Sequence, residues 1–268
     1  MTERIYAIHS DEECERLEAQ AQLVPLSFHL KHLPLKPGVT VLDAGCGSGS
    51  MSRQIAKAQP DATVVGVDLR EPYLDFARRK AASENLTNVK FEKGDVRALP
   101  FDDATFDIVW HKYLLQWVGD PQAAMYEFAR VTKPGGLIIS CNFDGFAVTH
   151  EPPDPAMQPL AEYVFSQLVD PFIGRRLAAM SRQAGLIDIQ VAMETDNVFS
   201  VVGKIDAERR NNWEVQLNAA REQIIKHLGS AAMADAFIDS FMRYQDREDT
   251  ASYCMLFIVS GRKPTTAT

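Results

Sequence analysis

The chain has 268 residues, 46% of them hydrophobic and 24% charged, with a net charge of −8 and a pI near 5.3. That is room for one full α/β domain plus a modest addition, with a sizeable buried core. Dispersed Lys and Arg in an acidic chain exclude a duplex or a long RNA as the expected partner, because phosphate backbones are held by clustered cations.

The opening MTERIYAIHSDEE is polar and acidic, unlike a secretory or transit peptide, and Cys14, Cys46, Cys141 and Cys254 are scattered without a C-x-x-C pair. No apolar run approaches the roughly 20 residues that cross a bilayer. A reducing cytoplasm, no membrane and no metal site are the expectations. Ser10 with Asp11, Glu12 and Glu13 caps a helix that runs through Leu17, Ala21 and Val24, negative charge being favoured at that end. Pro25 kinks it or opens a second helix carrying Leu26, Leu30 and Leu33, and Lys36-Pro37-Gly38 ends the segment.

Strands and helices then alternate. Val39 to Asp43 reads as a strand, Ser50 to Gln59 as a helix, Thr63 to Asp68 as a strand and Glu71 to Glu84 as a helix. Further strands are expected at Asn88 to Gly94, Phe106 to His111 and Leu137 to Cys141, with a helix from Asp120-Pro121 to Lys133-Pro134-Gly135-Gly136 before the last. Short apolar strands between helices imply a parallel sheet covered on both faces. His150 to Pro159, with four prolines, reads as an irregular connection. Gly174 to Gly185 reads as helical, Ile187 to Val191 as a strand and Ser252 to Gly261 as a closing strand. Between them Trp213, Leu217, Ile224, Leu228, Phe237 and Phe241 recur at helical spacing, so about forty residues there suggest a helical cap. The expected organisation is residues 1–38 as an N-terminal helical lid, 39–203 with 251–263 as the core, and 204–250 as the cap insert.

The stretch VLDAGCGSGS, Val41 to Ser50, follows the first strand and opens a helix. Ligands of open α/β sheets bind at the carboxyl ends of the strands, and a glycine loop lets them approach backbone N–H groups. Gly45, Gly47 and Gly49 give G-x-G-x-G rather than the G-x-G-x-x-G of dinucleotide enzymes, and there is no G-K-[ST] of a P-loop. Asp68 ends the second strand, where a carboxylate can accept both ribose hydroxyls of a nucleoside. Asp95 ends the third strand at the same edge, where it can accept from an adenine amine.

The ordered set VLDAGCGSG, VVGVD, FEKGDVRALPF, FDIVW and ARVTKPGG resembles the class I S-adenosylmethionine-dependent methyltransferases, over roughly residues 39 to 142. More loosely, Tyr6, the Glu15-Arg16-Leu17 helix and the GRRL stretch at Gly174 to Leu177 resemble bacterial small-molecule members. The resemblance implies a Rossmann-like, seven-stranded, mostly parallel sheet with helices on both faces and an antiparallel last strand. It implies S-adenosyl-L-methionine as cofactor, held by Gly45, Cys46 and Gly47, by Asp68 at the ribose, by Leu69, Asp95 and Val96 around the adenine, and near His111 at the methionine amine. Tyr6, and Arg16 toward the cofactor carboxylate, complete the set, though Arg16 can equally be a solvated surface residue.

Methyl transfer is an in-line displacement on a sulfonium, so alignment and exclusion of water are the protein's main tasks. His111 is the best-placed catalytic candidate, as general base or as a scaffold whose backbone touches the cofactor. Tyr113, Gln116, Trp117 and Asn142 follow strand ends and are candidates for the acceptor pocket, with Trp213 from the insert. The expected activity is methylation of a small, partly apolar or aromatic metabolite. A catalytically silent cofactor-binding regulator and a nicotinamide dehydrogenase remain alternatives, the latter disfavoured by the glycine spacing.

Overall fold

The computed structural model describes residues 11–22, 31–195 and 198–265. The expected sheet forms. Its strands are β1 (Thr40–Ala44), β2 (Thr63–Asp68), β3 (Val89–Lys93), β4 (Phe106–Lys112), β5 (Thr132–Asp144), β7 (Ile187–Thr195) and β10 (Met255–Arg262). They lie in the order β3-β2-β1-β4-β5-β10-β7, and β10 alone runs antiparallel to its neighbours. Strand order reverses between β1 and β4, which opens a crevice at their carboxyl ends.

Alternation along the strands builds a core on each face. Val41, Val64, Ile108, Trp110 and Ile139 point to one side with Ile55 of α2 (Ser50–Ala58). Leu42, Val65, Val109 and Ile138 point to the other, against Met125 and Phe128 of α4 (Pro121–Val131). Helices α1 (Asp11–Gln22), α3 (Glu71–Ser83) and α6 (Leu177–Gln183) complete the layers.

A second apolar cluster sits above the carboxyl edge. Helices α7 (Ala207–Leu228) and α8 (Ala231–Gln245) pair there, and Phe146, Phe165, Trp213, Phe237 and Phe241 fill the space between them and α5 (Gln158–Leu168). Two-residue strands β6 (His150–Glu151), β8 (Val201–Val202) and β9 (Ala251–Ser252) form a small antiparallel sheet beside it. Two local expectations change. The 150–159 stretch gives way to helix at Gln158, with Pro159 in its first turn, where a missing N–H costs nothing. The helix expected to reach Lys133–Gly136 stops at Val131, and those four residues bulge into β5, whose pairing with β4 shifts between Phe106 and Ile108. Among the described residues no helix is long and apolar enough to cross a membrane.

Candidate functional site

The glycine loop joins β1 to α2 through three left-handed residues, with φ of 69° at Gly45, 54° at Gly47 and 74° at Gly49. A Cβ on Gly45 would fall 2.5 Å from Leu114 Cδ1, and one on Gly49 would fall 2.6 Å from Phe91 Cε1. Those two glycines admit the chain's own side chains. Gly47 is different: a Cβ there meets only Leu17, at 3.5 Å, so its face is left to the crevice.

Asp68 closes this loop from β2. Its carboxylate accepts from the Gly47 N–H at 3.0 Å and from the Arg70 N–H at 3.0 Å, while burial pushes its pKa above the usual carboxylate range. Asp43, at the end of β1, accepts from the Ser52 hydroxyl at 2.5 Å, and burial pushes its pKa up to about 6. Burial likewise pushes the Cys46 thiol well up, so it stays protonated and unreactive at neutral pH.

A cavity of about 310 Å³ opens above these groups. Gly45, Cys46, Gly47 and Asp68 line it, with Leu69, Asp95 and Val96 on the same wall and Arg16, Tyr113 and Trp117 elsewhere around it. Two of these are already engaged. Both oxygens of Asp95 accept from Arg97, the closest at 2.7 Å, which holds its pKa down. Arg16 is neither solvated nor unpaired: it is buried, paired to Glu13 at 2.6 Å, and donates to Asn212 of α7 at 2.5 Å.

His111 does not reach the cavity. Trp110 and Lys112 line it, and strand alternation turns the intervening ring to the opposite face. There its Nε2 lies 2.8 Å from Ser140 Oγ and its ring 5.2 Å from that of Phe128. Burial alone pushes its pKa down to about 3. The general-base expectation is therefore corrected: the imidazole is neutral, buried and turned away. Asn142 is displaced for the same reason, since Phe143 takes the cavity side of β5 while Asn142 is fully buried. Trp213 stands behind the wall, 5.4 Å from Phe146 and 5.5 Å from Phe199, two residues that do line it. Tyr6 falls outside the described residues.

Several wall residues were not anticipated. Phe143 was one alternation step from a named candidate, but Phe146 and Phe199 sit on loops with no periodic signal. Gln216 of α7 lines the cavity too, whereas Gln116, which also lines it, was a candidate from the stretch after β4. Helix α1 covers the glycine loop through Glu18, which accepts from the Ser48 hydroxyl at 2.6 Å and from buried Arg53 at 2.6 Å. Among the described residues no cluster of His, Cys, Asp and Glu is arranged to hold a metal.

A switch-point crevice with a glycine loop and an acid at the end of the second strand, on a sheet whose last strand runs antiparallel, defines the class I methyltransferase architecture. The chain belongs to the methyltransferase domain family, whose model matches residues 35–183. It is 35% identical over 162 residues to an uncharacterised 37.1 kDa protein in transposon TN4556 of Streptomyces fradiae, covering 59% of this chain and 46% of that one. It is 31% identical over 150 residues to the demethylmenaquinone methyltransferase of Shouchella clausii, covering 56% of this chain and 61% of that one. The chain thus spans about half to three-fifths of the length of these two curated relatives. Among solved structures, the YcgJ protein of Bacillus subtilis shares the fold with a TM-score of 0.62 at 22% identity, over 89% of this chain and 97% of that one.

Proposed function

We propose that this chain is an S-adenosylmethionine-dependent methyltransferase acting on a small, partly apolar or aromatic acceptor. The observation that carries the reading is one cavity lined both by the Gly47–Asp68 pair and by Tyr113, Trp117 and Phe143. The first group suits a nucleoside and the second a planar or apolar acceptor, so one space accommodates both reactants.

The residues present fit the cofactor. Gly47 leaves open space where a side chain would intrude. Asp68, oriented by two backbone N–H groups, is the acid for the ribose hydroxyls. Leu69, 53% exposed at the rim, and Val96 flank the adenine. Asp95 takes the exocyclic amine on lone pairs that Arg97 leaves available. Bound there, S-adenosylmethionine supplies a methyl group on a sulfonium, an electrophile strong enough to need no metal. The chain's own work is alignment, and exclusion of water by the aromatic wall. His111, neutral and turned away, takes no proton.

The likeness to demethylmenaquinone methyltransferase supports an aromatic, quinone-like acceptor. Phe199 and Gln216, however, lie beyond the residues that match the family model, so part of the acceptor wall is this chain's own. Calorimetry with S-adenosylhomocysteine tests the reading. Asp68→Ala is expected to bind ~1.5–3 kcal/mol more weakly, the range for hydrogen bonds to a charged group. Unchanged affinity in a folded variant, or tighter binding of NADH than S-adenosylhomocysteine by the wild type, would overturn it.

A further inference from the structure

Gln116 is an amide on the cavity wall with one half of its side chain committed. It belongs to the short 3-10 turn Leu115–Trp117 that follows β4, and it is only 1% exposed. Its Nε2 donates to the Tyr113 carbonyl at 2.5 Å, and the Gln116 backbone carbonyl accepts from the Asp170 N–H at 3.1 Å. The first bond settles which end of the amide is which, because only the NH₂ end can donate to a carbonyl. Oε1 is left buried with no hydrogen-bond partner among the described residues. On α7, Gln216 lines the same cavity, and its Nε2 is likewise buried and unpartnered. Buried polar atoms are costly unless paired, and both residues line a space that the proposed reaction fills with an acceptor.

We propose that Gln116 selects the acceptor: its Oε1 accepts a hydrogen bond from a neutral hydroxyl or N–H carried on a planar, apolar body. This rests on the methyltransferase reading and adds the chemical class of acceptor to it. The aromatic faces of Tyr113, Trp117 and Phe143 take the body. An amide oxygen repels a carboxylate, and Lys112, on the same wall, disfavours a cation. A site built to pair a donor rejects the analogue that lacks it, because the protein's own oxygen is then left unpaired. Gln216 Nε2 supplies the complementary donor for a lone pair on the acceptor. An amide oxygen orients the donor without removing its proton, which matches a site from which His111 is turned away.

Calorimetry on the wild-type complex with S-adenosylhomocysteine tests this, with β-naphthol, β-methylnaphthalene and β-naphthoate as probes of one shape. β-Naphthol is expected to bind roughly tenfold or more tighter than β-methylnaphthalene, and β-naphthoate more weakly still. Gln116→Leu is expected to bring the two neutral probes within about twofold of each other while S-adenosylhomocysteine binds as before. Equal wild-type affinities, tightest binding of the naphthoate, no binding of β-naphthol, or a leucine variant that keeps the preference would each overturn the proposal. The wild-type series decides by itself if the variant does not fold. Failure of S-adenosylhomocysteine to bind would instead sink the cofactor reading, and this inference with it.

Discussion

Asp43 and His111 are both buried, yet burial moves their titrations so that they affect stability in opposite senses. Asp43 in the fold holds its proton up to about pH 6, against ~3.9 for an unfolded aspartate. The native state therefore binds more protons between those values, and this group removes stability as pH rises through them. His111 in the fold has a pKa of about 3, against ~6.5 unfolded, so it removes stability as pH falls from the second value to the first. Only Asp43 faces the cavity. A bound sulfonium or ammonium beside Asp43 and Asp68 favours their ionised forms, so cofactor binding near pH 6 should release protons. Affinity for S-adenosylmethionine should then rise as pH climbs through that region, and should flatten in Asp43→Asn. Calorimetry in two buffers of different ionisation enthalpy reads the proton count directly; binding without proton release would remove Asp43 from the cofactor's charge. Much of this edge was legible in the sequence, because Asp43, Gly47 and Asp68 end strands or follow them, and strand ends are where ligands sit. The orientation of His111 was not read, although alternation from Trp110 implied it. The engagement of Asp95 by Arg97 is a side-chain choice that strand position does not dictate.

Helix α1 is the element that turns an open crevice into a covered one. Glu18 joins the Ser48 hydroxyl to the Arg53 guanidinium, and Arg16 reaches Asn212 on α7, so α1 bridges the glycine loop and the cap. Substituting Glu18→Gln keeps the size of the side chain but weakens its two charge-assisted bonds, each worth about 1.5–3 kcal/mol. Helix α1 should exchange its amide hydrogens faster in that variant, and S-adenosylhomocysteine should bind several-fold more weakly. Identical protection and affinity would show that the helix is held by other contacts. The helix itself was legible from its acidic first turn and its apolar spacing. Its partners were not, because Glu18 and Arg53 lie on separate helices and no local pattern relates them. Prolines hid the start of α5, and strands as short as β6, β8 and β9 carry too few residues to show a period.

At the scale of the whole molecule, the sheet was the most legible feature, since apolar strands alternating with helices admit few arrangements. The aromatic cluster over its edge was half legible: helical spacing marked Trp213, Phe237 and Phe241, but Phe146 and Phe165 joined them from a stretch that had no clear pattern. That cluster backs the part of the cavity lying outside the matched family residues, which is why fold and family together leave the acceptor to be found by experiment. The central claim is that one cavity brings S-adenosylmethionine and a small acceptor together. It is tested most directly by supplying methyl-labelled S-adenosylmethionine and a fractionated cell extract to the intact chain. The label should appear in a small, organic-extractable product, with S-adenosylhomocysteine formed in equal amount and a rate nearly constant between roughly 50 and 200 mM salt. Label in RNA or DNA with a steep fall over that range, or no labelled product from a protein that binds the cofactor, would contradict it.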